Sequence, residues 1–155
     1  MKKTSIIAII IILALPLIVW AAGTCTQSYS KTSSANVSVL TFSCATEATG
    51  TEFPVTNTSA EITEAINGLY ITEVRTNPGT TGPADNYDIT IKDTDGIDLM
   101  GGSLTDRDTT NSEAAIPAIS SGVYQDRPID GILSLTISGN TTNAASTAVK
   151  VFLKR

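Results

Sequence analysis

Leu133-Ser134-Leu135-Thr136-Ile137-Ser138 alternates apolar and polar side chains without a lapse. A period of two is the repeat of a β-strand with one buried and one wet face, and it is incompatible with the 3.6-residue period of a helix. The same pattern recurs on either side. Tyr87, Ile89 and Ile91 alternate with Asp88, Thr90 and Lys92, and Val149, Val151 and Leu153 alternate with Lys150, Phe152 and Lys154. Phe152 is the one departure, an aromatic residue on the face that should be wet.

Working outward from these three segments, weaker strands are expected at residues 25–31, 37–44, 69–76 and 97–99. Pro, Gly, Asn and Asp punctuate them at Asn77-Pro78-Gly79, Gly82-Pro83, Thr94-Asp95-Gly96, Gly101-Gly102 and Gly139-Asn140. Only residues 60–66 have a helical look, and they are too short to be stable alone. Many short strands at this spacing predict an all-β fold, an antiparallel β-sandwich or small barrel. Two hairpins are expected. One joins 87–92 to 97–99 through the Asp95-Gly96 turn; the other joins 131–138 to 147–154 across the polar loop 139–146. Residues 106–128 read as loop.

The N-terminus has a different composition. Lys2 and Lys3 precede a run from Ile6 to Gly23 that carries no charge. A basic start, an apolar stretch and small residues beyond it are the parts of a secretory signal peptide. Cleavage is expected after Ala21, with a second site offered at Ala22. The alternative is a retained anchor. At about 1.5 Å per residue, residues 6–23 would span about 27 Å as a helix, just short of the ~30 Å hydrocarbon core. Either reading, signal peptide or membrane anchor over residues 1–21, sends residues 22–155 across a membrane as a single domain, to a periplasmic, extracellular or membrane-tethered location.

Removing Lys2 and Lys3 from the chain's 10 basic residues leaves 8 against 15 acidic ones, a formal charge of −7. That surface repels phosphate backbones, so no nucleic-acid partner is expected. Cys25 and Cys44 are the chain's two cysteines. In an oxidising compartment they are expected to pair. Antiparallel register from that pair matches Gln27 with Phe42, Tyr29 with Leu40 and Lys31 with Ser38, placing a turn at Ser33-Ser34-Ala35-Asn36. The bridge would then staple the open end of the first hairpin.

The chain contains no histidine. This excludes Ser-His-Asp and Cys-His nucleophilic arrangements and His-ligated metals. Carboxylates remain, and pairs of them can hydrolyse glycosides. Here they sit mainly in turns and on wet strand faces, and the sole tryptophan, Trp20, lies in the leader, so no enzyme is expected and no catalytic residue is assigned. Asp93-x-Asp95-Gly96-x-Asp98 is the sharpest candidate site. Three carboxylates about a turn can present oxygens to Ca²⁺, although the position of a bidentate Glu is not filled. A plain hairpin turn accounts for the same residues. Asp106-Arg107-Asp108 and Asp126-Arg127 read as surface ion pairs.

Val74-Arg75-Thr76-Asn77-Pro78-Gly79, then Ala84-Asp85-Asn86-Tyr87-Asp88-Ile89-Thr90, then Asp95-Gly96-Ile97-Asp98-Leu99-Met100-Gly101-Gly102 resembles small proteins encoded among tailed-phage and prophage structural genes. The resemblance covers about residues 68–155. It implies a virion-associated β-sandwich, such as a decoration or tail component, and brings no catalytic residues. The export segment departs from that pattern, because virion parts of tailed phages normally assemble in the cytoplasm.

Together these readings lead to an exported, non-enzymatic structural or interaction protein that assembles with itself or with a larger particle. Strand 147–154 is a candidate for addition to a neighbour's sheet edge, with Lys150, Lys154 and Arg155 as its edge protection in the opposite reading. The alternative is a small extracellular ligand-binding module for calcium or a glycan.

Overall fold

The computed structural model describes residues 23–31 and 36–155. The leader, its cleavage positions Ala21 and Ala22, and most of the first turn lie outside the described residues. Among those described, no helix is long and apolar enough to cross a membrane.

Over the described residues the structure is mostly β, with antiparallel sheets and one short helix. It opens with β1 (Thr24–Lys31) and β2 (Val37–Ala45), a hairpin in the register expected from the cysteines: Cys25 faces Cys44, Gln27 faces Phe42, Tyr29 faces Leu40 and Lys31 faces Ser38. β3 (Thr56–Asn57) and the helix α1 (Ala60–Ile66) follow. Ser59 begins α1 by accepting a hydrogen bond from the Ile62 N–H at 3.3 Å, and Ile66 anchors its far end in the core. Next come β4 (Tyr70–Pro78) and β5 (Asp88–Lys92). Four short strands then occupy the stretch read as loop: β6 (Glu113–Ala115), β7 (Ala118–Ser120), β8 (Val123–Tyr124) and β9 (Arg127–Pro128). β10 (Ser134–Ser138) and β11 (Ser146–Lys154) complete the chain.

One sheet has the order β1-β2-β11-β4-β6, with β9 also pairing with β4, and a second has the order β3-β10-β5. Their buried faces share one hydrophobic cluster. Leu40 and Phe42 of β2, Val149, Val151 and Leu153 of β11, and Ile71 and Val74 of β4 enter it from the larger sheet. Ile89 and Ile91 of β5 and Leu135 and Ile137 of β10 enter from the smaller one. Burying a side chain of this kind stabilises by about 1.5–3 kcal/mol. Tyr87 is fully buried in the same cluster, with its hydroxyl 3.5 Å from that of Thr147, and burial pushes its pKa up.

Two expectations need correction. First, β10 and β11 are not a hairpin. β10 pairs with β5 and β3, whereas β11 pairs with β2 and β4. Residues 139–146 carry the chain from one sheet to the other. Asn140 anchors that arch, donating to the Thr51 carbonyl at 2.6 Å and accepting from the Ala84 N–H at 2.8 Å. Two alternating strands can bury their apolar faces side by side or face to face, and periodicity does not distinguish these. Second, β11 lies inside its sheet, flanked on both sides, so it has no edge to offer a neighbour.

Phe152, the lapse in the β11 pattern, has a local solution. The Arg75 guanidinium sits 4.5 Å from the centre of its ring, on the outer face of the sheet, and Glu73 pairs with Arg75 and raises its pKa. Beside it the β4–β11 register shifts: Phe152 faces Glu73 while Leu153 faces Ile71. Thr72 is the extra residue of this bulge, and its hydroxyl donates to the Phe152 carbonyl at 3.1 Å.

Candidate functional site

Cys25 and Cys44 are joined as a disulfide between directly facing residues of β1 and β2. No free cysteine is present among the described residues. The bond fits an oxidising compartment. It staples an edge strand to the sheet, and the Gln27 side chain adds a second attachment. Its amide donates to the Asn57 carbonyl at 2.7 Å and accepts from the Ser59 N–H at 3.2 Å.

The direction of the β1 backbone groups follows from the neighbouring ladder. The Thr46 N–H donates to the Ala145 carbonyl at 2.9 Å, so the even-numbered residues of β2 bond to β11 and its odd-numbered residues bond to β1. In the register of the first hairpin, the odd-numbered residues of β2 face Thr24, Thr26, Ser28 and Ser30. Cys25, Gln27, Tyr29 and Lys31 therefore turn their backbone N–H and C=O groups away from β2. The Cα separation of 3.9 Å between Cys25 and Cys44 agrees, because the closely spaced pair of an antiparallel ladder is the non-hydrogen-bonded one. None of these outward groups has a backbone partner among the described residues.

The turn at Asp93, Asp95 and Asp98 forms with Gly96 at φ +81°, but the expected strand 97–99 is reduced to a single bridge between Lys92 and Asp98. Its carboxylates are directed at the backbone. Asp93 Oδ1 accepts the N–H groups of Asp95 at 3.0 Å and Ile97 at 2.9 Å. Asp98 accepts from Met100 at 3.1 Å through Oδ1 and from Gly102 at 2.8 Å through Oδ2. Asp95 is exposed. Thr94, at the tip, docks the turn by accepting the Ile132 N–H at 3.1 Å. Among the described residues, no group of three or more Asp, Glu, Cys or His side chains is placed to hold a metal ion.

The expected local ion pairs form with other partners. Arg107 lies 3.7 Å from Glu113, and Asp126 pairs with Lys154 rather than with Arg127. Asp108 instead organises its own turn, accepting the N–H groups of Thr110 at 2.6 Å and Asn111 at 2.7 Å. These bonds, the Asn111 N–H foremost, hold its carboxyl far below the usual carboxylate range.

Two surface features had no sequence signal strong enough to single them out. β7 and β8 form a separate two-stranded hairpin that exposes Ile119, Val123 and Tyr124 by 46%, 48% and 56%, and Ile116, just before it, is 46% exposed. Gly101 holds this hairpin close: a Cβ there would lie 1.9 Å from the Ala118 carbonyl oxygen, and the Ala118 N–H donates to Met100 at 3.1 Å. The second feature is a cleft of about 240 Å³ lined by Tyr29, Lys31, Asn36, Leu69 and Arg155, among others. The Tyr29 hydroxyl is buried without a hydrogen-bond partner among the described residues.

Comparison with models of protein families, with curated proteins and with solved structures found no match.

Proposed function

We propose that this chain is an exported, non-enzymatic structural or interaction protein that works through its surface, assembling with copies of itself or into a larger particle. The observation that carries the reading is the β7–β8 hairpin. A soluble β-domain normally scatters its exposed apolar residues, whereas here Ile119, Val123 and Tyr124 share one small hairpin and Ile116 lies two residues before it. Grouped exposed apolar side chains mark contact surfaces. The disulfide supports display in an oxidising compartment, and the resemblance to phage structural-region proteins supports a particle as the setting. Light scattering on the exported product tests this. Assemblies larger than one chain are expected, and Ile119→Asp with Val123→Asp should reduce them while leaving the melting temperature unchanged. A wild-type protein that stays monomeric at every concentration contradicts the proposal.

One observation favours a second reading, a small extracellular glycan-binding module. The cleft combines Tyr29 with the polar side chains of Lys31, Asn36 and Arg155. Titration with a panel of neutral and acidic monosaccharides, followed by amide chemical shifts of β1, would show saturable changes at Tyr29 and Lys31. Unmoved shifts there contradict it.

A further inference from the structure

We infer that the free edge of β1 is a self-pairing site, through which two copies of this chain join their larger sheets antiparallel about a two-fold axis at Ser28. The inference rests on the proposed assembly and adds to it a second contact, distinct from the β7–β8 hairpin.

Three observations lead to it. The strand runs from Thr24 to Lys31, and Cys25, Gln27, Tyr29 and Lys31 direct unpartnered backbone groups outward, as derived above from the ladder. A strand edge of that length is a template for another strand. The devices that normally prevent such pairing are sparse. There is no proline in β1, no bulge in its pairing with β2, and a single charge, on the last residue, Lys31. Finally, the strand is held in place. The disulfide fixes one end to β2, and Gln27 ties the middle to residues 57 and 59. Little conformational freedom is left to lose on pairing.

A second copy is the occupant because β1 is complementary to itself. Antiparallel pairing about Ser28 sets Cys25 opposite the partner's Lys31 and Gln27 opposite the partner's Tyr29. Every outward N–H of β1 then finds an outward carbonyl. Matched positions are both odd or both even, so the buried face of one sheet continues into the buried face of the other. On the outer face, Thr26 lies opposite the partner's Ser30, and the two Ser28 side chains meet at the axis. These are small and exposed, and Lys31 does not face its own copy. Like charges are thereby kept apart across the join. The contact is isologous and closes as a dimer.

Cysteine cross-linking of the exported protein reads out this register. Ser28→Cys should form a disulfide-linked dimer under mild oxidation, with the Cys25–Cys44 bond verified intact by mass spectrometry. Ser30→Cys alone should not cross-link, but an equimolar mixture of Ser30→Cys with Thr26→Cys should. Equal cross-linking of Ser28→Cys and Ser30→Cys as separate proteins, or none above that of unmixed controls, overturns the inference. Ser28→Lys places two ammonium groups at the axis and is expected to weaken dimers by up to about fivefold. If assembly survives Ser28→Lys and is lost in the Ile119→Asp, Val123→Asp variant, the β1 join is wrong and the wider proposal stands. If the wild-type chain is monomeric throughout, both fail.

Discussion

Breaking the Cys25–Cys44 bond should lower the stability of the domain by an amount that the loop length sets. The two residues are 19 apart in sequence. The chain-entropy model gives such a link about 3 kcal/mol, by restricting the unfolded chain. A domain of roughly 130 residues has an unfolding entropy of roughly 270 cal/mol/K, so this corresponds to a fall in Tm on the order of 10 °C. The effect has a local component. β1 makes its ladder with β2 alone, and once unlinked it is held by that ladder and by Gln27. Amide exchange at Thr26, Ser28 and Ser30 should therefore rise more than exchange in β11. The assay is a thermal melt of the oxidised protein and of the reduced, alkylated protein, with thiol status established by mass and exchange measured on both. A reduced protein that melts within about 2 °C of the oxidised one refutes the reasoning. So does unchanged protection of β1.

Gly101→Ala should be strongly destabilising, by more than about 2 kcal/mol in a denaturant titration, because φ is +59° there and the added Cβ meets the Ala118 carbonyl oxygen. A loss below about 0.5 kcal/mol would show that the β7–β8 hairpin does not depend on that approach. Asp98→Ala should lower Tm equally with and without millimolar calcium, since both carboxylate oxygens serve backbone N–H groups; a loss seen only with calcium present would instead assign Asp98 to an ion. The Asp108 carboxyl should titrate below the usual carboxylate range, as followed by its side-chain carbonyl carbon shift. Its folded pKa is depressed, so its contribution to stability is present above the unfolded value near 3.9 and is lost as pH falls through the lower folded value. A midpoint close to 4 contradicts the turn geometry.

Strand identity was legible wherever one face is buried and the other wet, as in Leu135 and Ile137 or Val149 and Val151. Register was legible in the first hairpin because two cysteines had to face each other, which fixed Gln27 against Phe42 and Tyr29 against Leu40. Partnership was not. β10 and β11 carry the same alternation whether they lie side by side or face to face, and only the arch held by Asn140 decides between these. The short strands between residues 113 and 128 escaped notice because a two- or three-residue strand has no period to detect. Asp93 and Asp98 illustrate an ambiguity of the candidate site. Carboxylates in turns serve the backbone and cations with the same oxygens, and composition cannot show which donors surround them. The free edge of β1 was similarly hidden, since edge status belongs to the sheet order and not to the strand's own sequence. Thr147–Lys154 looked the better edge by sequence, with three basic residues near its end, and is enclosed by β2 and β4.

Amide hydrogen exchange along β1, measured at several protein concentrations, tests the self-pairing claim most directly. Thr26, Ser28 and Ser30, which bond to β2, should be protected at all concentrations. The outward amides of Cys25, Gln27, Tyr29 and Lys31 should be protected in concentrated solution and exchange freely on dilution. Outward amides that exchange freely at every concentration would contradict the account.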